Sequence, residues 1–263
     1  MITSGTHPKN IVSGSALPTR KILDEVIMRL PIAGILSLAL LAPAVMRSQD
    51  WLPLFNGKDL DGWQVRGAGE WAVMKDGTVV GKRVWPDYTK LFTFPITAQQ
   101  FRHWLGRQAW LYTIGEFGEF DLHVEYWIPP GGNSGVSIRD VSRAHYSIGN
   151  TDEPDPVRTT LKGSPAHIGY EIQIIDPDKQ KYPSGSIYLF AAAKQGVQKS
   201  SDWNSMDIES RNDRIRVKLN GEMVAASPGD PARSKVGPIG LQLHDQFSMA
   251  MFRNLRIREI KKE

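Results

Sequence analysis

Residues 120–128 read FDLHVEYWI, and they alternate without a break. Phe120, Leu122, Val124 and Tyr126 stand against Asp121, His123, Glu125 and Trp127. A period of two is the signature of a β-strand with one buried face. The pattern recurs along the chain. GVSIRD (135–140) opposes Val136 and Ile138 to Ser137 and Arg139, and GLQLHD (240–245) opposes Leu241 and Leu243 to Gln242 and His244. In GYEIQIIDP (169–177), Ile172 and Ile174 face one way while Glu171 and Gln173 face the other. Turn-forming residues separate such runs: Asn56-Gly57, Asp76-Gly77, Gly131-Gly132-Asn133 and Asn220-Gly221. RIRVKLNGEMVA (214–225) reads as a hairpin closed by Asn-Gly, which supplies the positive φ angles of a type I′ turn. MAMFRNLRIREI (249–260) reads as a last strand. Many short strands at this spacing imply an all-β sandwich or barrel.

With no cysteine in 263 residues, disulfides, thiolate metal sites and cysteine nucleophiles are excluded. The formal charge of +4 is unevenly placed: residues 1–48 hold five Lys/Arg against two Asp/Glu, and the remainder 27 against 26. No basic run with interleaved aromatics follows, so a nucleic-acid partner is not expected. From Arg29 a positive residue leads into an apolar stretch, Ile32 to Leu41, and then small residues at Ala42 and Ala44. That is the layout of a secretory signal, with translation starting at Met28. The stretch is short for a membrane span of about 20 residues, so no stable membrane insertion is expected after cleavage. The protein is thus read as periplasmic or secreted and bacterial. Residues 1–48 form an extension and signal, and residues 49–263 a single domain.

Two segments interrupt the strand rhythm. Lys82 to Gln108 contains TAQQFRHWLGRQ, a weakly helical stretch with Thr97 placed to cap it. Ser142 to His167 is rich in Pro, Asp, Ser and Thr and reads as a long loop. Long loops in compact domains are often functional, and both segments are placed to rim a site. The polar strand faces carry Glu125, Arg139, Glu171, Gln173, Gln242 and His244. If these strands share a sheet, the polar groups gather on one surface, with Trp127, Tyr170, Tyr188 and Trp203 available to stack on sugar rings. A solvated antiparallel face is polar for solubility alone. Directional Gln, Asn, His and Arg groups favour a ligand instead.

Seven ordered segments carry a resemblance. They are LFNGKDLDGW, WLYTIGEFGEFDLHVEYWIPPGGNSGVSIRD, GSPAHIGYEIQIID, GSIY, DWN, IRVKLNG and GPIGLQLHDQFSMAMFRNLRI. Together they resemble the 3-keto-disaccharide hydrolase domain family, over about Trp51 to Ile260. The resemblance implies a two-sheet antiparallel jelly-roll sandwich of concanavalin A-like lectin/glucanase type, with a small carbohydrate held on the concave sheet. It puts Glu125, Asn133, Ser134, Arg139, Glu171, Gln173, Asp176, Asn204, Gln242, His244, Arg253 and Asn254 on motif positions. Arg253 and Asn254 alternate along their strand, so at most one is expected to see the cleft. Trp203 stands beside Asn204, which is either a sugar contact or a loop brace.

The activity so implied is cleavage of 3-keto-glycosides. A ketone at C3 acidifies the C2 hydrogen; a base removes it, and the C1 substituent leaves by β-elimination before water adds. Glu171 or His244 is assigned as the base, and Arg139 or a divalent metal as the stabiliser of the enolate oxygen. Asp176, or the other member of the first pair, is the acid. Glu125, Asn133, Arg139, Gln173, Trp203, Asn204 and Gln242 are assigned to substrate binding. Carboxylates, amides and imidazole are suitable metal ligands, but no spacing singles out a metal site. Two alternatives compete. EIQIID invites comparison with β-glucanases reading Glu-Ile-Asp-Ile-x-Glu, yet Gln173 replaces the middle carboxylate and Asp176 shortens the last. A non-catalytic carbohydrate-binding module would use the same fold.

Overall fold

The alternating runs become strands wherever sequence analysis placed them. A computed structural model describes residues 50–83, 97–148 and 164–260, all within one compact unit, Met46–Glu263. The start at Met28, the signal and the extension 1–48 lie outside the described residues. So do residues 84–96 and 149–163, the middles of the two interrupting segments. In chain order the elements begin with β1 (Leu52–Pro53), β2 (Trp63–Arg66), β3 (Gly69–Val73) and β4 (Val79–Arg83). Helix α1 (Ala98–Leu105), β5 (Ala109–Thr113), β6 (Phe120–Trp127) and β7 (Asn133–Ile138) follow. A one-turn helix α2 (Pro165–Ile168) precedes β8 (Tyr170–Ile175), β9 (Asn204–Arg211) and β10 (Arg214–Leu219). β11 (Glu222–Ser227), β12 (Ile239–Leu243) and β13 (Met249–Glu259) complete the chain. No helix among the described residues is long and apolar enough to cross a membrane.

Hydrogen bonding divides these strands into two antiparallel sheets. The larger runs β11-β10-β9-β6-β13-β4-β3, with β1 also on β13; the smaller runs β2-β5-β12-β7-β8. The hairpin turn is as read: Asn220 and Gly221 have φ of 50° and 83°, and Leu219 pairs Glu222 across them. Between the sheets lies one apolar core. Phe120, Leu122, Val124, Met206, Ile208 and Phe252 from the large sheet meet Leu111, Val136, Ile172, Ile174, Leu241 and Leu243 from the small one. All twelve are fully buried. At about 25 cal/mol per Å² of apolar surface removed from water, this core is the main driving force for closing the sandwich.

The partition corrects one expectation. Glu125 does not share a sheet with Glu171. Its strand β6 pairs with β9 and β13, whereas β8 pairs with β7. Glu125 therefore projects from the far side of the molecule's core, on the outer face of the large sheet. There its carboxylate accepts hydrogen bonds from Arg253 Nε at 2.7 Å and Asn254 Nδ2 at 2.9 Å. Arg253 and Asn254 reach the same partner because the register shifts between Arg253 and Arg256 and Asn254 takes φ 52°. Simple alternation predicted opposite faces; a β-bulge cancels it.

Candidate functional site

The outward face of the small sheet is built in rows. Pairing sets Tyr112 beside Gly240, Gly240 beside Ser137, and Ser137 beside Glu171. The next row contains Trp110 beside Gln242, and Gly135 beside Gln173. Two glycines make room in these rows. A Cβ on Gly240 would stand 2.4 Å from the Tyr112 ring, and one on Gly135 would stand 3.0 Å from Glu171 Oε1. The Tyr112 ring and the Glu171 carboxyl tip therefore occupy the space above the neighbouring glycines.

Part of this face is roofed. Tyr112 donates its hydroxyl to Asp140 Oδ2 at 2.7 Å, and the same oxygen accepts the Ala144 N–H at 2.8 Å. Asp140 Oδ1 takes the Ser142 hydroxyl at 2.6 Å and its N–H at 3.1 Å. This clamp holds Ala144 and Ile148 against the stacked Trp110 and Tyr112 rings. The β7–β8 side stays open, and there a cavity of about 520 Å³ forms, within the size range of small-molecule sites.

Glu171, Gln173, Asn133 and His244, four of the residues singled out in the sequence, line this cavity together. Tyr188 lines it as well, and Gln108, Ser164 and His167 join from the described ends of the two interrupting segments. Lys181, Tyr182 and Leu189 form the remaining wall, with Gln180 and Ile175. His167, Lys181 and Tyr182 were not found by sequence reasoning, because loop residues carry no periodicity that marks their direction. Tyr182 and Tyr188 pack with ring centroids 5.0 Å apart, a partly aromatic wall opposite a polar floor. Gln173 Nε2 reaches toward Asn133 Oδ1 at 3.5 Å.

Glu171 is the only carboxylate among the described lining residues, and it is 5% exposed. Burial pushes its carboxyl from 4.5 up to about 7; the charge of His244 and the Gln242 amide oppose the shift, and Asp140 adds to it. The imidazole of His244 is 40% exposed, with Nδ1 3.3 Å from Asp245 Oδ2. His167 shares a 2.7 Å hydrogen bond with Ser164 Oγ through Nδ1. Burial, and then the charge of Arg233, lowers its basicity below the ordinary histidine value. Gln242 is fully buried. Neither its amide nitrogen nor its amide oxygen meets a partner at full hydrogen-bond geometry, yet the amide lies close enough to Glu171 to favour its ionised form.

Other expected site residues are elsewhere. Arg139 follows the last residue of β7 and takes φ 59°, so alternation fails there. Its guanidinium donates to Asn212 O at 2.8 Å and Gly118 O at 3.1 Å, and it lines a different cavity with Lys235 and Asp213. Asp176 accepts the Gly131 N–H at 2.9 Å and the Ser200 hydroxyl at 2.8 Å; it ties loops together and is not among the lining residues. Asn204 is a loop brace: Oδ1 accepts from Lys199 N–H, while Nδ2 donates to Lys199 O and Asp202 O. Trp203 stacks under Arg253, 4.0 Å from ring centre to guanidinium, beside Glu125. Ser134 faces inward and donates to Gln242 O at 2.7 Å. Tyr170 is fully buried, with its hydroxyl accepting the Asp230 N–H. No group of three or more His, Asp or Glu among the described residues is arranged to hold a metal ion.

Comparison with known proteins follows this geometry. Two structures of Parabacteroides distasonis proteins provisionally described as glycosyl hydrolases align with TM-scores of 0.55 at 20% and 23% identity. Each alignment covers 80% of this chain, and 94% and 100% of the other. A Bacillus subtilis protein of galectin-like fold aligns with a TM-score of 0.52 at 10% identity, over 81% of this chain and 96% of that one. These likenesses establish the jelly-roll lectin/glucanase architecture. No relative is found among curated proteins. The profile of the 3-keto-alpha-glucoside-1,2-lyase-like domain matches residues 50–258. The chain therefore belongs to that family, the 3-keto-disaccharide hydrolase domain family, whose members are carbohydrate-active proteins.

Proposed function

We propose that the cavity on the small sheet cleaves 3-keto-glycosides by β-elimination, with Glu171 as the base at C2. One observation carries the reading: among the described lining residues a single carboxyl, buried and raised to about 7, stands on the floor of a sugar-sized cavity. A base poised near neutral pH is suited to removing a carbon-bound proton. The family description, a 3-keto-alpha-glucoside-1,2-lyase-like domain, supports the same chemistry.

The steps follow from the groups present. Ionised Glu171 takes the C2 proton, and the C2–H electron pair enters the C2=C3 enolate. Negative charge gathers on the C3 oxygen, where the Lys181 ammonium and the Gln173 amide are donors within the cavity lining. The enolate then re-forms the ketone, a C1=C2 double bond appears and the C1–O bond breaks. His244, or His167 across the cavity, gives a proton to the departing alkoxide. Water then adds its oxygen to C1 and gives a proton to the histidine, Glu171 returns its proton to C2, and the C1=C2 double bond is saturated, which completes hydrolysis. Arg139 and Asp176 leave this scheme, since neither lines the cavity. Retaining or inverting hydrolysis of an unoxidised glycoside needs two flanking carboxyl groups, and Glu171 has no acidic partner among the described lining residues.

Purified protein incubated with a 3-keto-glucoside in heavy water is expected to release the alcohol and carry deuterium at C2. Glu171→Gln is expected to lower kcat by about 10²–10⁴-fold with unchanged circular dichroism. Equal turnover by the variant, or equal turnover of the unoxidised glucoside, defeats the proposal. A chelator arm in the same assay reports on any divalent metal. We also propose that the reaction takes place outside the cytoplasm, on the strength of residues 29–44; mass of the mature N-terminus tests it.

A further inference from the structure

Among the described residues of this face, Gln242 is a fully buried amide whose tip meets no partner at full hydrogen-bond geometry and lies nearest in effect to the Glu171 carboxyl. Leaving a buried polar group unpaired costs about 1–3 kcal/mol, and a leucine or methionine would fill the same space without that cost. Its neighbourhood indicates its use. The side chain missing from Gly135 leaves a gap, and a Cβ built there would meet Glu171 Oε1 at 3.0 Å and Gln242 Oε1 at 3.2 Å. The carboxyl tip and the amide tip thus face each other across the same bare stretch of β7. An amide offers an acceptor oxygen, and after a half-turn about its last bond it offers two N–H donors.

We infer that Gln242 is a positioning residue for Glu171, accepting a hydrogen bond from the carboxyl when it is protonated and donating to it when it is ionised. Glu171 gains its proton from C2 and returns it to C2 when water adds at C1, so it must be held in one place in both states. A fixed donor would favour only the anion, and a fixed acceptor only the acid. The amide never exchanges a proton itself; it turns. Other groups set the background for this titration: His244 beyond β12, Asp140 beyond β7 and Tyr112 on β5. Tyr188 after β8, His167 on α2 and Lys181 complete the set around the cavity. The inference builds on the reading of Glu171 as base, but its test does not require turnover.

The experiment is a carboxyl ¹³C NMR titration of the full chain labelled at glutamate, with Glu171→Gln used to assign the signal. In Gln242→Met, the midpoint for Glu171 is expected to rise by more than about one pH unit, because a charge-assisted hydrogen bond to the anion is stronger than its neutral counterpart. The acid limb of kcat/KM on a 3-keto-glucoside should move with it. An unchanged midpoint overturns the inference. If the methionine variant does not fold, the unaltered protein still decides: the side-chain ¹⁵N resonance of Gln242 must titrate with the Glu171 midpoint, and a pH-independent signal overturns it. A shifted midpoint in a protein inactive on every 3-keto-glycoside leaves the pairing standing and removes only the proposed reaction.

Discussion

Replacing Glu171 by glutamine should make the protein more stable, and only above a definable pH. Burial holds the carboxyl at about 7 in the folded state against 4.5 in the open chain. The folded protein therefore binds this proton more tightly than the unfolded one. Between those two values the unfolded state has already released its proton while the folded state keeps it, so stability falls as pH rises. Above about 7 the loss is complete, because the native state must then hold a buried anion. At about 1.4 kcal/mol per pH unit, the full loss is about 3 kcal/mol. Glutamine copies the protonated acid in shape and hydrogen-bonding capacity but never ionises. The two proteins should match near pH 4, diverge through pH 5–7, and differ by about 3 kcal/mol at pH 8. For a unit of this size that is about 6–12 °C in Tm. Urea unfolding followed by tryptophan fluorescence at pH 4, 6 and 8 measures it. A stability difference that is constant with pH, or a glutamine variant less stable at pH 8, refutes the argument that burial dominates this carboxyl. A more stable and inactive variant is the expected signature of a functional group kept at a cost to the fold.

Two further outcomes follow from residues outside the cavity. Arg139→Ala removes both guanidinium hydrogen bonds, to Gly118 and Asn212; it should lower stability by about 2–4 kcal/mol in urea unfolding while leaving kcat per folded molecule unchanged. Glu125→Ala should cost under about 1 kcal/mol at pH 7, as exposed ion pairs contribute little, and should not alter kcat/KM. Burial works against the Glu125 anion, but hydrogen bonds from Asn254 and Arg253 outweigh it and hold the carboxyl below its ordinary value. The small cost should therefore vanish as pH falls through and below 4.5, which the same unfolding series reports.

Strand identity was legible in the chain because a period of two is a local property. FDLHVEYWI, GYEIQIIDP and GLQLHD are strands with the faces alternation assigns. Which strands share a sheet was not legible, because pairing joins distant residues: β6 meets β9 and β13, and β7 meets β8 and β12. Grouping Glu125 with Glu171 rests on their polar strand faces, the assumption of a shared sheet and the family resemblance, and topology separates them. Arg139, Arg253 and Asn254 were misread for a different reason. Each sits where the backbone leaves regular strand geometry, through a positive φ or a register shift, and alternation has no force there. Asn204 and Asp176 carry site-like side chains but spend them on loop N–H, carbonyl and hydroxyl groups. Within the cavity, the strand-borne Glu171 and Gln173, and His244 one residue past β12, follow from the pattern, whereas His167, Lys181 and Tyr182 arrive from segments outside the strands with no such signal.

Strand β8 is a partition one residue thick. Ile172 and Ile174 are sealed in the core while Glu171 and Gln173 stand in the cavity. A slip of a single position against β7 would turn every side chain over, sending two isoleucines into water and two polar groups into oil. Such a molecule would not persist as a soluble, well-formed, silent copy. Quality control of the reactive centre is thus delegated to folding itself: a chain that closes its sandwich has, in the same act, set its acid in place.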